Sequence, residues 1–262
     1  MSKYFFFLFV FISALCNSSE DHLFWWHSSS NVNFGDDLSR VIVEKISGRH
    51  VKPANLDSDQ QTILFAVGSI LHYARNDDII WGSGFRENPL LENRFTQLDI
   101  RAVRGPRTRS FLLQMGINCP EIYGDPAILM AYLFPEFKNS NRVKDYIIIP
   151  NIGEIDCFKN YKNLVLPTLP WEEVVKNMTE SKLVISSSLH GIIVAESYGI
   201  PTRLLKMTWI EPLLKYQDYY EATGRPDFKY ATSVAEALQM GGEAPAVIDI
   251  NPLLDAFPWD YF

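Results

Sequence analysis

Ser186-Ser187-Ser188-Leu189-His190-Gly191 gathers hydroxyls, an imidazole and a glycine between an apolar stretch at 183–185 and an amphipathic one at 189–198. A strand running into a helix at this point leaves the first helical amides unpaired and presents the positive end of the helix dipole. Phosphate or carboxylate is held in such a setting, with serine hydroxyls as additional donors. Ser188 is therefore a candidate anion contact, and Gly191 would let a ligand approach the backbone closely. The same letters also describe a capped helix with a locally packed histidine; spacing alone leaves both readings open.

Asn33-Phe34-Gly35-Asp36 holds the corresponding position ahead of an earlier helix. Asn33 and Gly35 are candidate cleft-facing contacts, and Asp36 either caps its helix or accepts a hydrogen bond from a ligand hydroxyl. Gly68-Ser69 and Gly82-Ser83-Gly84-Phe85-Arg86 each follow an apolar run, where small residues such as Gly84 suit close approach of a ligand. Arg101, Arg104, Arg107 and Arg109 crowd a strand end and the helix after it. The planar guanidinium fork matches carboxylate and phosphate, and Arg104, nearest the strand end, is the expected anion clamp.

Other chemistries find no support. No GxGxxG precedes a helix, so a nicotinamide dinucleotide is not indicated. The 3 cysteines, Cys16, Cys119 and Cys157, lack CxxC spacing, and the 5 histidines include no HxxxH or HExxH pair, so no metal and no cofactor are expected. A formal charge of -7, with no Lys/Arg cluster beyond the arginine stretch at 101–109, argues against a nucleic-acid partner.

These residues need a scaffold that brings strand ends together. A helix with apolar positions Leu38, Val41, Ile42 and Ile46 follows a loop at 34–38, has Asp36 and Asp37 in its first turn and stops at Gly48. Strands are expected at 23–26, 62–67, 79–81, 98–103, 146–150, 164–166, 183–185 and 202–206, and further helices at 110–115, 171–178 and 189–198. Strands alternating with helices indicate an α/β fold with parallel sheets: two Rossmann-like domains, 21–138 and 139–262, facing across a cleft, the second ending in a C-terminal tail. Ahead of them, the apolar run at 4–15 is too short to span a bilayer comfortably and suits a signal peptide or membrane anchor at 1–20, with membrane association through it, or equally a buried first strand.

Taken together, Asn33-Phe34-Gly35-Asp36-Asp37-Leu38, Gly82-Ser83-Gly84, Arg101-Ala102-Val103-Arg104-Gly105-Pro106-Arg107-Thr108, Tyr123-Gly124-Asp125-Pro126-Ala127, Ser187-Ser188-Leu189-His190-Gly191 and Ala195-Glu196-Ser197-Tyr198-Gly199-Ile200-Pro201 resemble the polysaccharide pyruvyl transferases in content and order. The resemblance runs from about residue 23 to about residue 205. It implies a glycosyltransferase type B fold, phosphoenolpyruvate as co-substrate, a saccharide or lipid-linked oligosaccharide acceptor, and donor contacts from Arg104, Leu189 and His190. Many family members carry arginine where this chain has Ser188, so the implied anion site lacks one positive charge; Arg86, Arg107 and Arg203 are candidate replacements. In the implied reaction His190 protonates the methylene carbon of phosphoenolpyruvate, Asp36 orients or deprotonates an acceptor hydroxyl, and a pyruvate ketal forms. A nucleotide-sugar glycosyltransferase and a catalytically inactive glycan-binding or assembly protein are the alternatives. The donor is a cytosolic metabolite, which sets cytoplasmic-face chemistry against an exported start.

Overall fold

Short apolar runs without polar alternation, such as Ile79-Ile80-Trp81 and Ile147-Ile148-Ile149, are the pattern of strands buried on both faces. In the computed structural model, which describes residues 22–26, 32–57, 61–89, 95–139 and 141–262, they form the centres of two parallel sheets. The first contains β1 (His22–Phe24), β2 (Lys52–Pro53), β3 (Leu64–Phe65), β4 (Ile79–Trp81) and β5 (Asp99–Ala102) in the order β2-β1-β3-β4-β5. The second contains β6 (Ile147–Ile149), β7 (Val184–Ser186), β8 (Thr202–Leu205) and β9 (Tyr230–Ala231) in sequential order. Every ladder in both sheets is parallel, so the connections must cross over, and helices supply most of the crossings. The apolar run at 4–15 lies outside the described residues. Among the described residues no helix is long and apolar enough to cross a membrane.

α1 (Phe34–Ser47) begins four residues before the expected end of its loop. Asn33 is its cap: the side-chain Oδ1 accepts from Gly35 N at 3.3 Å, and the carbonyl accepts from the amides of Asp36 and Asp37, both at 3.1 Å. The segment 34–38 is therefore the first helical turn. Gly48, at φ 70°, ends the helix. The expected strand at 164–166 is an isolated bridge between Leu164 and Ile148, because Pro167 follows at once and cannot donate to a ladder. α2 (Pro106–Gln114) starts earlier than its apolar pattern indicates, with Pro106 at the first position, where no N–H is needed. α3 (Met130–Leu133) and α4 (Trp171–Thr179) precede α5 (Leu189–Ser197), which is buried from Leu189 to Glu196.

Residues after 206, for which no individual element is expected from the sequence, carry structure that closes the fold. α6 (Leu214–Ala222) buries Tyr216, Tyr219 and Tyr220, α7 (Val234–Met240) covers β8 and β9, and α8 (Asn251–Asp255) returns to the first sheet. There Trp81 Nε1 donates to the Leu253 carbonyl at 2.8 Å, and the Tyr261 hydroxyl accepts from His22 N and donates to the His22 carbonyl, each at 2.8 Å. One buried apolar cluster extends from Leu23, Leu38 and Trp81 through Met130 to Ile149, Ile193 and Tyr219, so both sheets share it. α5 lies at its centre, against β7 and β8 on one side and α3, α4 and the 3₁₀ turn Pro126–Leu129 on the other. Glu196, at the end of α5, satisfies its buried carboxylate with Thr202, Tyr219 and Arg225.

Candidate functional site

Two helix N-termini meet across an open cleft of about 360 Å³ lined by Trp26, Asn33, Asp36, Arg86, Ser188 and His190, among others. On the α1 side, Asn33 Nδ2 donates to Asp36 Oδ2 at 2.8 Å, which holds the carboxylate toward the cleft. Burial raises the Asp36 carboxyl above its ordinary value; His190, Asn33 and Lys215 draw it part of the way back, and Glu211 pushes it up again. On the α5 side, Ser188 is the cap, with its hydroxyl accepting from Gly191 N at 3.4 Å. The strand-to-helix turn is tied down by Ser186 Oγ, which donates to the Ile149 carbonyl at 2.7 Å and accepts from Ser188 N at 3.0 Å.

His190 reaches from α5 across to the first turn of α1. A Cβ at position 35 would lie 2.3 Å from His190 Nδ1, so only glycine leaves room for the ring. Gly35 thus serves the site by admitting the imidazole. The other ring nitrogen, Nε2, is buried 3.7 Å from Asp125 Oδ2, and neither atom has a hydrogen-bond partner. Asp125 is fully buried and fixed by its other oxygen, which accepts from Ala127 N at 3.1 Å at the start of the 3₁₀ turn. Asp125 stands in the Tyr-Gly-Asp-Pro-Ala motif, but nothing in local spacing aims it at a residue 65 positions later.

Cations come from two further elements. Arg86, after β4, donates to the Ile210 carbonyl at 3.1 Å and to Glu211 Oε1 at 3.4 Å. Lys215, in the first turn of α6, donates to Glu211 Oε2 at 2.5 Å with only 8% of its side chain exposed. Burial pulls the Lys215 ammonium below the usual lysine range, and Glu211 opposes that shift. Glu211, Lys215 and Arg86 all line the same cleft.

The polysaccharide pyruvyl transferase family profile matches residues 27–206, more than half of the chain. The chain belongs to the polysaccharide pyruvyl transferase family. It is 26% identical over 234 residues to the succinoglycan biosynthesis protein ExoV of Rhizobium meliloti, covering 83% of this chain and 71% of that protein. An uncharacterized protein of Acanthamoeba polyphaga mimivirus is 28% identical over 251 residues, covering 86% of this chain and 84% of the relative. A crystal structure of a Klebsiella pneumoniae protein of uncharacterized function aligns with a TM-score of 0.46 at 14% identity, over 82% of this chain and 94% of that one, a likeness too slight to argue from. Membership supports a transferase role in polysaccharide biosynthesis. Lys215 and Glu211 lie beyond the stretch the family profile matches.

Several residues that the family motifs single out stand behind the cleft wall instead of on it. Arg104, the expected clamp, is fully buried: its Nε donates to Asp218 Oδ2 at 3.0 Å, one terminal nitrogen to Ser69 Oγ and the other to the Phe85 carbonyl, both at 2.6 Å. Its charge is neutralised inside the protein, and of these partners Ser69 is the one that lines the cleft. Asp218 also accepts from the amides of Arg107 and Thr108 at 2.9 and 3.0 Å, so a carboxylate from α6 caps α2. That occupies the anion site the Arg-Gly-Pro-Arg-Thr run offers. The Arg107 side chain is paired with Glu221, Arg101 with Asp99 and Asp260, and Arg203 with Glu243, while Arg109 donates to the Cys119 carbonyl. A Cβ at Gly84 would strike the Arg104 guanidinium at 2.5 Å, and one at Gly191 would strike Ser186 Oγ at 2.3 Å. Both glycines therefore make room for protein atoms. Of the three arginines offered as replacements for the family arginine, only Arg86 is in the cleft together with Ser188.

Proposed function

We propose that the protein transfers pyruvate from phosphoenolpyruvate to two hydroxyls of a saccharide, free or lipid-linked, as a ketal, in the cleft between two Rossmann-like domains, 21–138 and 139–262, of glycosyltransferase type B. The observation that carries this reading is the convergence of His190, Asp36 and the capped N-terminus of α5 on one cleft that also holds Arg86 and Lys215. His190 is the acid. Nε2 faces the Asp125 carboxylate at 3.7 Å without a hydrogen bond and Nδ1 packs against Gly35, so in this reading the ring tightens onto Asp125 as the donor binds, the way a buried carboxylate orients a catalytic imidazole. Proton delivery to the methylene carbon of phosphoenolpyruvate puts cationic character on its second carbon, which one sugar hydroxyl attacks. The carbon–oxygen bond to phosphate then breaks, its electron pair leaving with the phosphate oxygen, and the neighbouring hydroxyl closes the ketal. Of the two hydroxyl protons released, one balances the proton given to the methyl group and the other leaves with phosphate.

Asp36 suits the receiving side of this proton traffic, because burial makes its carboxylate a stronger base than an exposed aspartate. The first amides of α5, next to Leu189, and the cations Arg86 and Lys215 hold the donor's negative charge while it shifts between carboxylate and phosphate. The deciding experiment supplies purified protein with a saccharide acceptor and either phosphoenolpyruvate or nucleotide sugars. Acceptor-dependent release of inorganic phosphate from phosphoenolpyruvate is expected; release of free nucleotide from a nucleotide sugar, with phosphoenolpyruvate untouched, would replace this reading with glycosyl transfer.

A further inference from the structure

Glu211 is in an unusual position for a carboxylate in an anion-binding cleft. It accepts from Lys215 on one oxygen and Arg86 on the other, and the Lys206 ammonium donates to its backbone carbonyl. Its side chain is only 11% exposed. Burial alone would raise its pKa, yet Lys215 and Arg86 outweigh burial and hold the carboxyl below its ordinary value, so the group is an anion bound between two cations. The two sides of the contact differ in how firmly they are built. Lys215 is fixed in α6, next to the buried Tyr216, whose ring lies 5.1 Å from the ammonium. Glu211 lies outside any helix, in the connection between β8 and α6, where Met207, Trp209 and Ile210 are 36%, 81% and 52% exposed. The Glu211 side chain can therefore swing away without opening the core, whereas the lysine cannot.

We infer that Arg86 and Lys215 are the seat for a donor oxyanion, and that the Glu211 carboxylate fills this seat until the incoming anion displaces it. The inference rests on reading the cleft as the phosphoenolpyruvate site. Both cations share the cleft with Ser188. A buried ammonium left alone is strongly disfavoured, so an internal carboxylate keeps the lysine charged while no ligand is bound. When the oxyanion arrives it accepts the hydrogen bonds that Glu211 gives up, and the released carboxylate moves into water. Donor affinity is then lower than the two cations alone would provide, and Glu211 sets how much lower.

The test is calorimetric titration of the full chain with inorganic phosphate, pyruvate and phosphoenolpyruvate, using wild type, Glu211→Gln, Lys215→Met and Arg86→Gln. Phosphate binding that exceeds pyruvate binding assigns the seat to the phosphoryl end; the reverse assigns it to the carboxylate. Glu211→Gln should bind the preferred anion roughly tenfold more tightly, with proton uptake measurable as a dependence on buffer ionisation heat, whereas Lys215→Met and Arg86→Gln should each weaken it roughly ten- to a hundredfold. If Glu211→Gln weakens anion binding or leaves it unchanged, Glu211 is a structural partner and the displacement is refuted. Thermal unfolding checks that Lys215→Met is folded, and Arg86→Gln, at a half-buried side chain, keeps the seat testable if it is not. Anion binding needs no turnover. Binding as expected without pyruvate transfer would overturn the proposed reaction and leave the seat intact; pyruvate transfer with an unchanged donor KM in Arg86→Gln and Lys215→Met would do the opposite.

Discussion

Arg104 distinguishes two accounts of the family's arginine motif, and a double-mutant cycle with Asp218 separates them. Both side chains are fully buried, and Asp218 accepts from the Arg104 Nε, the Thr108 hydroxyl and two α2 amides. Breaking a buried pair by removing one partner costs about 3–5 kcal/mol, because the remaining charge is left uncompensated. Asp218→Asn should fall at the upper end: Arg104 keeps only the neutral oxygens of Ser69 and Phe85, and weaker capping of α2 adds roughly 1 kcal/mol. Arg104→Ala should fall at the lower end, since Asp218 retains three donors. At roughly 2–4 °C per kcal/mol for a chain of this size, Arg104→Ala should lower the melting temperature by about 6–12 °C. The double variant should lose roughly 1–3 kcal/mol less than the sum of the singles. Urea unfolding gives the stabilities, and titration with phosphoenolpyruvate gives the donor affinity of the folded protein. If Arg104→Ala stays within about 1 kcal/mol of wild type while donor affinity falls tenfold or more, Arg104 is a ligand clamp and its assignment as an internal strut is wrong.

Two further perturbations probe the proton machinery. Burial raises the Asp36 carboxyl above its ordinary 3.8, so the native state holds that proton more tightly than the unfolded chain, and the wild type loses stability as pH rises from the ordinary value through the raised one. Asp36→Asn cannot ionise; its melting temperature should match wild type in acid and exceed it increasingly toward neutral pH, and an advantage that instead appears on acidification would refute the assignment. Asp125→Asn keeps an oxygen for the Ala127 amide but removes the negative charge that faces Nε2, so kcat should fall roughly ten- to a hundredfold or more while donor KM changes little. A merely structural Asp125 would instead lower the melting temperature and leave kcat and its pH profile unchanged.

The elements that the sequence made legible are those whose physics is local. α1 could be read from its apolar spacing, its acidic first turn and Gly48, and β4, β6 and β7 from apolar runs that strands buried on both faces require. β2 and β9, of two residues each, carry too little pattern to read. α6 escaped because its buried face includes Lys215 and Asp218, charges that mark a solvated helix unless their partners are known. The site divides in the same way. His190, Ser188, Asn33 and Asp36 stood out because strand-to-helix junctions declare where a helix end will open. Asp125, Glu211 and Lys215 did not, since their roles depend on partners from distant segments. The arginine run shows the limit most clearly: spacing located Arg104 at a strand end, but only the fold reveals that Asp218, 114 residues later, has neutralised it.

In the proposed reaction a protein-held proton is added to the methylene carbon of phosphoenolpyruvate as pyruvate is transferred. Running the reaction in deuterium oxide with phosphoenolpyruvate and a saccharide acceptor, then examining the product by mass spectrometry and NMR, tests this directly. The expected product is a pyruvate ketal whose methyl group carries one deuterium, formed in step with inorganic phosphate and slowed by about 10² to 10⁴ in a folded His190→Gln protein that still binds phosphoenolpyruvate. A ketal methyl without deuterium, or a His190→Gln variant that forms the deuterated ketal at the wild-type rate, would contradict it.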